Sequence, residues 1–220
     1  MIFDQKKFQF IFNLRSAGVT DPRILAAMES IPRINFIGKT FQQHAFENIA
    51  LPIECGQTTT QPSIIGVMAQ ALAPTSRNKI LEVGTGSGYQ TAILSRLGRR
   101  IYTIERCQKL TIDAKILIEE LSISNVTILY NDGTLGLLEQ APFDRIIVSA
   151  AFDDIPNTLL NQLKPNGIMI APVGRSDSIQ TLVKVEKIRN SYHYTDLMKV
   201  RFLPIEEGKN PNKLDNNSNP

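Results

Sequence analysis

Apolar residues recur three and four positions apart over Phe3–Arg15, with Phe8, Ile11 and Phe12 on one helical face and Gly18 just beyond as a stop. Thr20-Asp21-Pro22 offers a polar cap and a proline at the first helical position, so a second helix carrying Ile24, Leu25 and Met28 is predicted to end before Pro32. Periodicity then fades, and Arg33–Pro52 reads as irregular chain. A third helix is predicted from Pro62, with Thr60 as its cap and Ile64, Ile65, Met68 and Leu72 on one face. From Lys79 the pattern changes. Short apolar runs at Lys79–Val83, Arg100–Ile104, Asn125–Tyr130, Phe143–Ser149 and Gly167–Val173 alternate with helical stretches at Gln90–Leu97, Gln108–Leu121 and Pro156–Leu163. That alternation predicts βαβ units and a parallel sheet. Ile179–Ile188 and Tyr192–Phe202 follow each other with only Arg189-Asn190-Ser191 between them, which predicts a closing antiparallel hairpin. The expected architecture is α/β, a mostly parallel twisted sheet with a helical N-terminal cap. Glu206–Pro220 has almost no apolar content and reads as a disordered tail.

Composition narrows the classes. The chain has 220 residues, 42% hydrophobic and 20% charged, with a net charge of +3, which argues against a disordered chain. The basic residues are scattered, Arg96–Arg100 being the densest run, and there is no Trp to stack on bases. No nucleic-acid partner is expected. No run approaches the ~18 apolar residues of a membrane span, and the start lacks a signal-type apolar stretch. A cytoplasmic protein without membrane contact is expected. Cys55 and Cys107 have no paired spacing and are expected to be inert buried thiols of a reducing compartment. His44 and His193 lie far apart and read as structural or surface residues, and no His/Cys cluster has metal-ligand spacing, so no metal is expected.

The most informative stretch is Glu82-Val83-Gly84-Thr85-Gly86-Ser87-Gly88-Tyr89-Gln90, between a strand and a helix. Glycines there let the backbone turn tightly and approach a ligand. The loop is G-x-G-x-G, one residue shorter than the usual dinucleotide pattern. Glu105 ends the second strand, about twenty residues beyond Gly84, where a carboxylate can accept from both ribose hydroxyls. Asp132-Gly133 follows the third strand in the same way. Three successive strand ends thus carry a glycine loop and two acids toward one crevice, which points to a nucleoside ligand.

The shortened loop and second acid resemble the Rossmann-like S-adenosylmethionine-dependent methyltransferases. A second string, Leu51-Pro52-Ile53-Glu54-Cys55-Gly56-Gln57-Thr58-Thr59-Thr60-Gln61-Pro62, is similar to the signature of protein-L-isoaspartate O-methyltransferases. Ile31-Pro32-Arg33, Ile104-Glu105-Arg106, Ala171-Pro172-Val173-Gly174 and Val200-Arg201-Phe202 resemble the same family, in the same order, so the likeness runs from about Phe8 to Pro204.

The resemblance implies one methyltransferase domain over 1–205, with 1–75 as helical part and substrate loop and 76–205 as cofactor-binding sheet. It implies S-adenosylmethionine as cofactor, S-adenosylhomocysteine as product, and isoaspartyl proteins and peptides as partners, for a monomer. Methyl transfer would go to the free α-carboxylate of an L-isoaspartyl residue, whose ester collapses to a succinimide. Carried over by position, Thr60 is the catalytic hydroxyl. Thr58, Thr59, Gln61, Gly84, Thr85, Gly86, Ser87, Gly88, Glu105, Asp132 and Gly133 would hold the cofactor, and Pro52, Ile53, Val200, Arg201 and Phe202 the substrate. Val200–Phe202 would pair with an extended peptide by main-chain hydrogen bonds. Thr60 stands where the family usually has Ser, and Asn48 and Glu54 where it has Asp and Gly. Two other readings stay open here: a same-fold methyltransferase of a small molecule or RNA, and a cofactor-binding module without catalysis.

Overall fold

The strands divide their side chains between two apolar layers. In the structure, a computed structural model that describes residues 2–211, β1 (Lys79–Val83) sends Leu81 and Val83 into one layer and Ile80 into the other. The same alternation separates Ile146 from Ile147 in β4 (Phe143–Val148), Met169 from Ile170 in β5 (Leu163–Val173) and Val183 from Leu182 in β6 (Gln180–Ile188). With β2 (Arg100–Glu105), β3 (Val126–Tyr130) and β7 (Ser191–Val200) they form one seven-stranded sheet in the order β3-β2-β1-β4-β5-β6-β7. β1 to β5 run parallel, while β6 is antiparallel to both its neighbours. A sheet covered on both faces must be apolar on both, which is why the parallel strands read as continuous hydrophobic runs.

Helices fill the two layers. Met68 and Leu72 of α3 (Pro62–Leu72) and Leu94 of α4 (Tyr89–Leu97) cover one face. Leu159 and Leu160 of α6 (Asn157–Leu160) cover the other, beside Phe152. α1 (Ile2–Ser16), α2 (Pro22–Ser30) and α5 (Gln108–Glu120) join α4 through Leu14, Ile24, Met28, Ile93, Ala114 and Ile118. Ile188 pairs with Ser191 across a tight turn at Arg189-Asn190, so the closing hairpin forms as expected. Among the described residues no helix is long and apolar enough to cross a membrane.

Four local expectations fail. On α1 it is Phe10 and Leu14 that are buried, while Phe8 and Phe12 are exposed, because the helix docks on α2 and α3 through the neighbouring stripe. Thr60 does not cap α3. The Asn48 side-chain oxygen accepts the Ser63 N–H at 2.9 Å instead, supplied from the irregular 33–50 segment. β7 stops at Val200, so Arg201 and Phe202 lie beyond the strand. Glu206–Asn210, read as part of a disordered tail, bind the β2–α5 corner: Asn210 N–H donates to the Arg106 carbonyl at 2.7 Å, and Gln108 N–H to the Asn210 carbonyl at 3.2 Å. The rest of that tail, 212–220, lies outside the described residues.

Candidate active site

The strand order reverses between β1 and β4, and a crevice opens at the carboxyl ends of the strands there, as expected of open α/β sheets. The chain leaves β1 through Gly84–Gly88. Gly84 has φ +93°, and a Cβ on it would lie 3.1 Å from the Ser149 carbonyl oxygen, so a side chain has neither the conformation nor the space. Thr85 is buried and its hydroxyl bonds to that of Thr103 at 2.6 Å, bracing the loop on β2. Glu105 is also buried. Its Oε2 accepts the Gly86 N–H at 2.9 Å and its Oε1 the Cys107 N–H at 2.8 Å. Each oxygen keeps acceptor capacity.

These groups wall an open cleft of about 870 Å³. Gly84, Thr85, Gly86, Ser87, Glu105 and Gly133 line it, with Ile53, Thr58, Thr59 and Thr60 across from them. A nucleoside cofactor fits this chemistry: a glycine cradle in which Gly84 and Gly86 take positive φ, and a carboxylate able to accept from a ribose diol. Gln90 also lines the cleft, and its buried Oε1 has no partner.

Three expected cofactor residues sit elsewhere. Gly88 caps α4 against Ala114 and Phe36, behind the cleft. Gln61 lines the neighbouring groove. The Asp132 carboxylate turns away from the cleft: Oδ1 accepts the Thr134 N–H and hydroxyl, and Oδ2 accepts the Gly208 N–H at 2.7 Å. Burial pushes its pKa up, but the Thr134 hydroxyl, the Gly208 and Thr134 N–H groups and Arg106 outweigh this and hold it below the usual range. Gly133, its neighbour, makes the wall instead. With the Arg106–Glu206 ion pair, Asp132 anchors the segment Pro204–Asn210 along the cleft edge, and Pro204, Ile205 and Glu206 line it.

The Leu51–Thr60 loop folds on itself. Leu51 N–H donates to the Thr59 hydroxyl at 3.0 Å, and Thr59 N–H to the Leu51 carbonyl at 2.7 Å, so the Thr59 side chain is spent within the loop. Cys55, at φ 60°, is disulfide-bonded to Cys107. The inert-thiol expectation is overturned: the loop crosses the cleft and brings two cysteines together that sequence spacing keeps 52 residues apart. Ile53 faces the cofactor cleft rather than the substrate side, and Pro52 is exposed and lines neither cavity.

A groove of about 1110 Å³ adjoins the cleft, lined by Thr60, Ile64, Ile179, Val200, Arg201 and Phe202 among others. The Gln180 amide occupies the main chain of Phe202, accepting its N–H at 2.8 Å and donating to its carbonyl at 3.2 Å. Phe202 therefore cannot pair with a peptide as expected. Among the described residues the main chain of Arg201 makes no hydrogen bond, so it stays open on this edge. Five residues line both cavities: Gln57, Thr58, Thr59, Thr60 and Ser149. Neither His44, paired with Glu47 at 2.8 Å, nor His193 on exposed β7 lines either.

The sequence reading missed the polar chain behind this junction. Gln90 Nε2 donates to Ser149 Oγ at 2.8 Å and to Glu82 Oε1 at 3.0 Å. Glu82 is fully buried, and burial pushes its pKa up to about 7 against the hydrogen bonds from Thr91, Thr103 and Gln90. Glu82 inside an apolar strand was the available signal, since a buried carboxylate demands partners.

Residues 5–210 match the family model for protein-L-isoaspartate (D-aspartate) O-methyltransferase. A protein-L-isoaspartate O-methyltransferase of Roseobacter denitrificans is 53% identical over 204 residues, spanning 93% of this chain and 96% of the relative. One from Paracoccus denitrificans is 52% identical, spanning 93% and 94%. A solved protein-L-isoaspartate O-methyltransferase superposes with a TM-score of 0.82 at 28% identity, covering 90% of this chain, which spans 65% of that one. A Plasmodium falciparum structure described as a complex with S-adenosyl-L-homocysteine has the same fold, with a TM-score of 0.79 at 22% identity over 90% of this chain and 97% of that one.

Proposed function

Since the chain belongs to the protein-L-isoaspartate (D-aspartate) O-methyltransferase family, we infer that it transfers the methyl group of S-adenosylmethionine to the free α-carboxylate of L-isoaspartyl residues. The match covers nearly the whole described chain, including the groove-lining segments outside the cofactor loop, and this sets aside a same-fold enzyme acting on RNA or a small molecule. The observation that carries the site assignment is the junction at Thr58–Thr60, where the cofactor cleft opens into a peptide-sized groove.

S-adenosylmethionine supplies an electrophilic methyl group on a sulfonium. Everything else falls to the chain. Gly84–Ser87 and Glu105 would hold the nucleoside end, with Gly133 as wall. The acceptor carboxylate is ionised at neutral pH, so no base is required to create the nucleophile. A carboxylate and a sulfonium lose charge as they react, so excluding water and aligning the groups lowers the barrier. Thr60 would hold the carboxylate at the junction with its hydroxyl, next to the α3 N-terminus. Arg201 would bind the main chain of an extended peptide at the open edge. After transfer, attack by the following backbone nitrogen on the ester expels methanol and gives the succinimide, a step that the substrate carries out itself.

A cytoplasmic location and a monomer belong to the same proposal. The location is proposed from the reaction, which consumes S-adenosylmethionine, rather than from the cysteines, since disulfides are rare in that compartment. Labelled methyl transfer to an isoaspartyl peptide tests the function. The expected product is a base-labile ester that decays to the succinimide. Label that stays stable in base would contradict carboxyl methylation.

A further inference from the structure

We propose that the Ser149 hydroxyl is a second donor to the acceptor carboxylate, alongside Thr60, and that the Gln90 amide orients it. The assignment rests on the methyl-transfer reading above and names a further residue for that reaction.

Ser149 follows directly on β4, at the point where the strand order reverses, and lines both the cofactor cleft and the groove. Gln90 Nε2 donates to its oxygen at 2.8 Å, and the other hydrogen of the same amide goes to Glu82 Oε1 at 3.0 Å. The contact with the Glu82 carboxylate, an acceptor, puts nitrogen on that side of Gln90, and Ser149 then accepts from the same nitrogen. A serine that accepts from an amide N–H still has its own proton to give. Among the described residues nothing accepts that proton. Ser149 is half-buried and lines both cavities, so an unmet donor there is available to whatever bridges them. In methyl transfer, the bridging group is the carboxylate.

A hydroxyl suits this task better than a cation. The carboxylate loses its charge in the transition state, so a Lys or Arg beside it would stabilise the ground state more and slow the step. The two cations of the groove are kept off the junction: Lys199 donates to the Thr181 hydroxyl at 2.8 Å, and neither it nor Arg201 lines the cofactor cleft. Two neutral hydroxyls can fix the orientation of the carboxylate while leaving an oxygen free to attack.

The test compares wild type, Ser149→Ala, Ser149→Thr and Gln90→Met in steady-state methylation of an isoaspartyl peptide, with S-adenosylhomocysteine titrated calorimetrically. A hydrogen bond to a charged acceptor is typically worth ~1.5–3 kcal/mol, so Ser149→Ala should lower kcat/KM for the peptide about tenfold or more. Homocysteine-product affinity should stay within about twofold, and Ser149→Thr should recover most of the loss. Gln90→Met should lower the same constant, and the double variant Gln90→Met/Ser149→Ala should be no worse than Ser149→Ala alone. Wild-type kcat/KM in Ser149→Ala would overturn the assignment. So would an equal loss of product affinity, or no recovery with Thr. A wild-type enzyme inert on the peptide would instead overturn the reaction, and this role with it.

Discussion

Thr60 carries one methyl group more than a serine would, yet it keeps a hydroxyl at the cleft–groove junction. Thr60→Ser is therefore expected to keep activity. Thr60→Val keeps the shape and loses the donor, so kcat/KM should fall about tenfold or more while calorimetry finds product affinity retained. Normal turnover in Thr60→Val would remove the hydroxyl's role. The two acids separate once geometry is known. Glu105→Gln should weaken cofactor binding by ~1.5–3 kcal/mol, because the carboxylate lines the cleft. Asp132→Asn should leave affinity near wild type and loosen the Pro204–Asn210 segment, visible as faster proteolysis there, because its oxygens hold Thr134 and Gly208. Sequence position alone could not tell these acids apart, since both follow parallel strands. Glu82 sets a pH dependence of stability. Its folded pKa of about 7 lies above the ordinary carboxyl value of 4.5. The fold therefore favours the protonated carboxyl, and the stabilisation is full below the lower value and lost as pH rises through the upper one. Melts of Glu82→Gln should decline less between about pH 5 and 8 than those of wild type. Equal slopes would show that the burial has no energetic consequence.

At the scale of elements, the sheet was legible because its period-2 layers are filled from continuous apolar runs, and all seven strands and the hairpin form in the predicted order, although β5 begins at Leu163 rather than Gly167 and β7 ends at Val200 rather than Phe202. What escaped was contact between distant segments. The exposed Phe8–Phe12 stripe and the buried Phe10–Leu14 stripe of α1 carry similar apolar content, so only docking on α2 and α3 decides between them. The Cys55–Cys107 bond, likewise, depends on the loop folding back over the β2–α5 corner. In the oxidised protein, Cys55→Ser should lower stability by ~2–4 kcal/mol, mainly by freeing the unfolded chain. Denaturant unfolding of the oxidised wild type and of the variant checks this. A thiol titration that finds two free cysteines in the native protein would contradict the bond itself.

For the whole molecule, function depends on two cavities meeting at one point, a cradle for the nucleoside and a groove for an extended chain, with Thr60 and Ser149 between them. The sequence made the cradle plain through its glycines and Glu105. It left the groove to resemblance, because no periodicity announces that Gln180 ties Phe202 and leaves Arg201 open. The most direct measurement is the initial rate of methylation on two peptides of one sequence, one with an L-isoaspartyl and one with a normal L-aspartyl residue. Their free carboxylates have similar pKa values, so intrinsic nucleophilicity cannot discriminate. In the isoaspartyl linkage the chain runs through the side-chain carbon and the carboxyl sits on Cα. A peptide held at Arg201 then presents that carboxyl to the junction, whereas the normal linkage displaces it by at least ~1 Å, enough to cost about 10²-fold. The account predicts ready methylation of the isoaspartyl peptide and a rate at least about a hundredfold lower on its partner, whereas comparable rates on the two would contradict it.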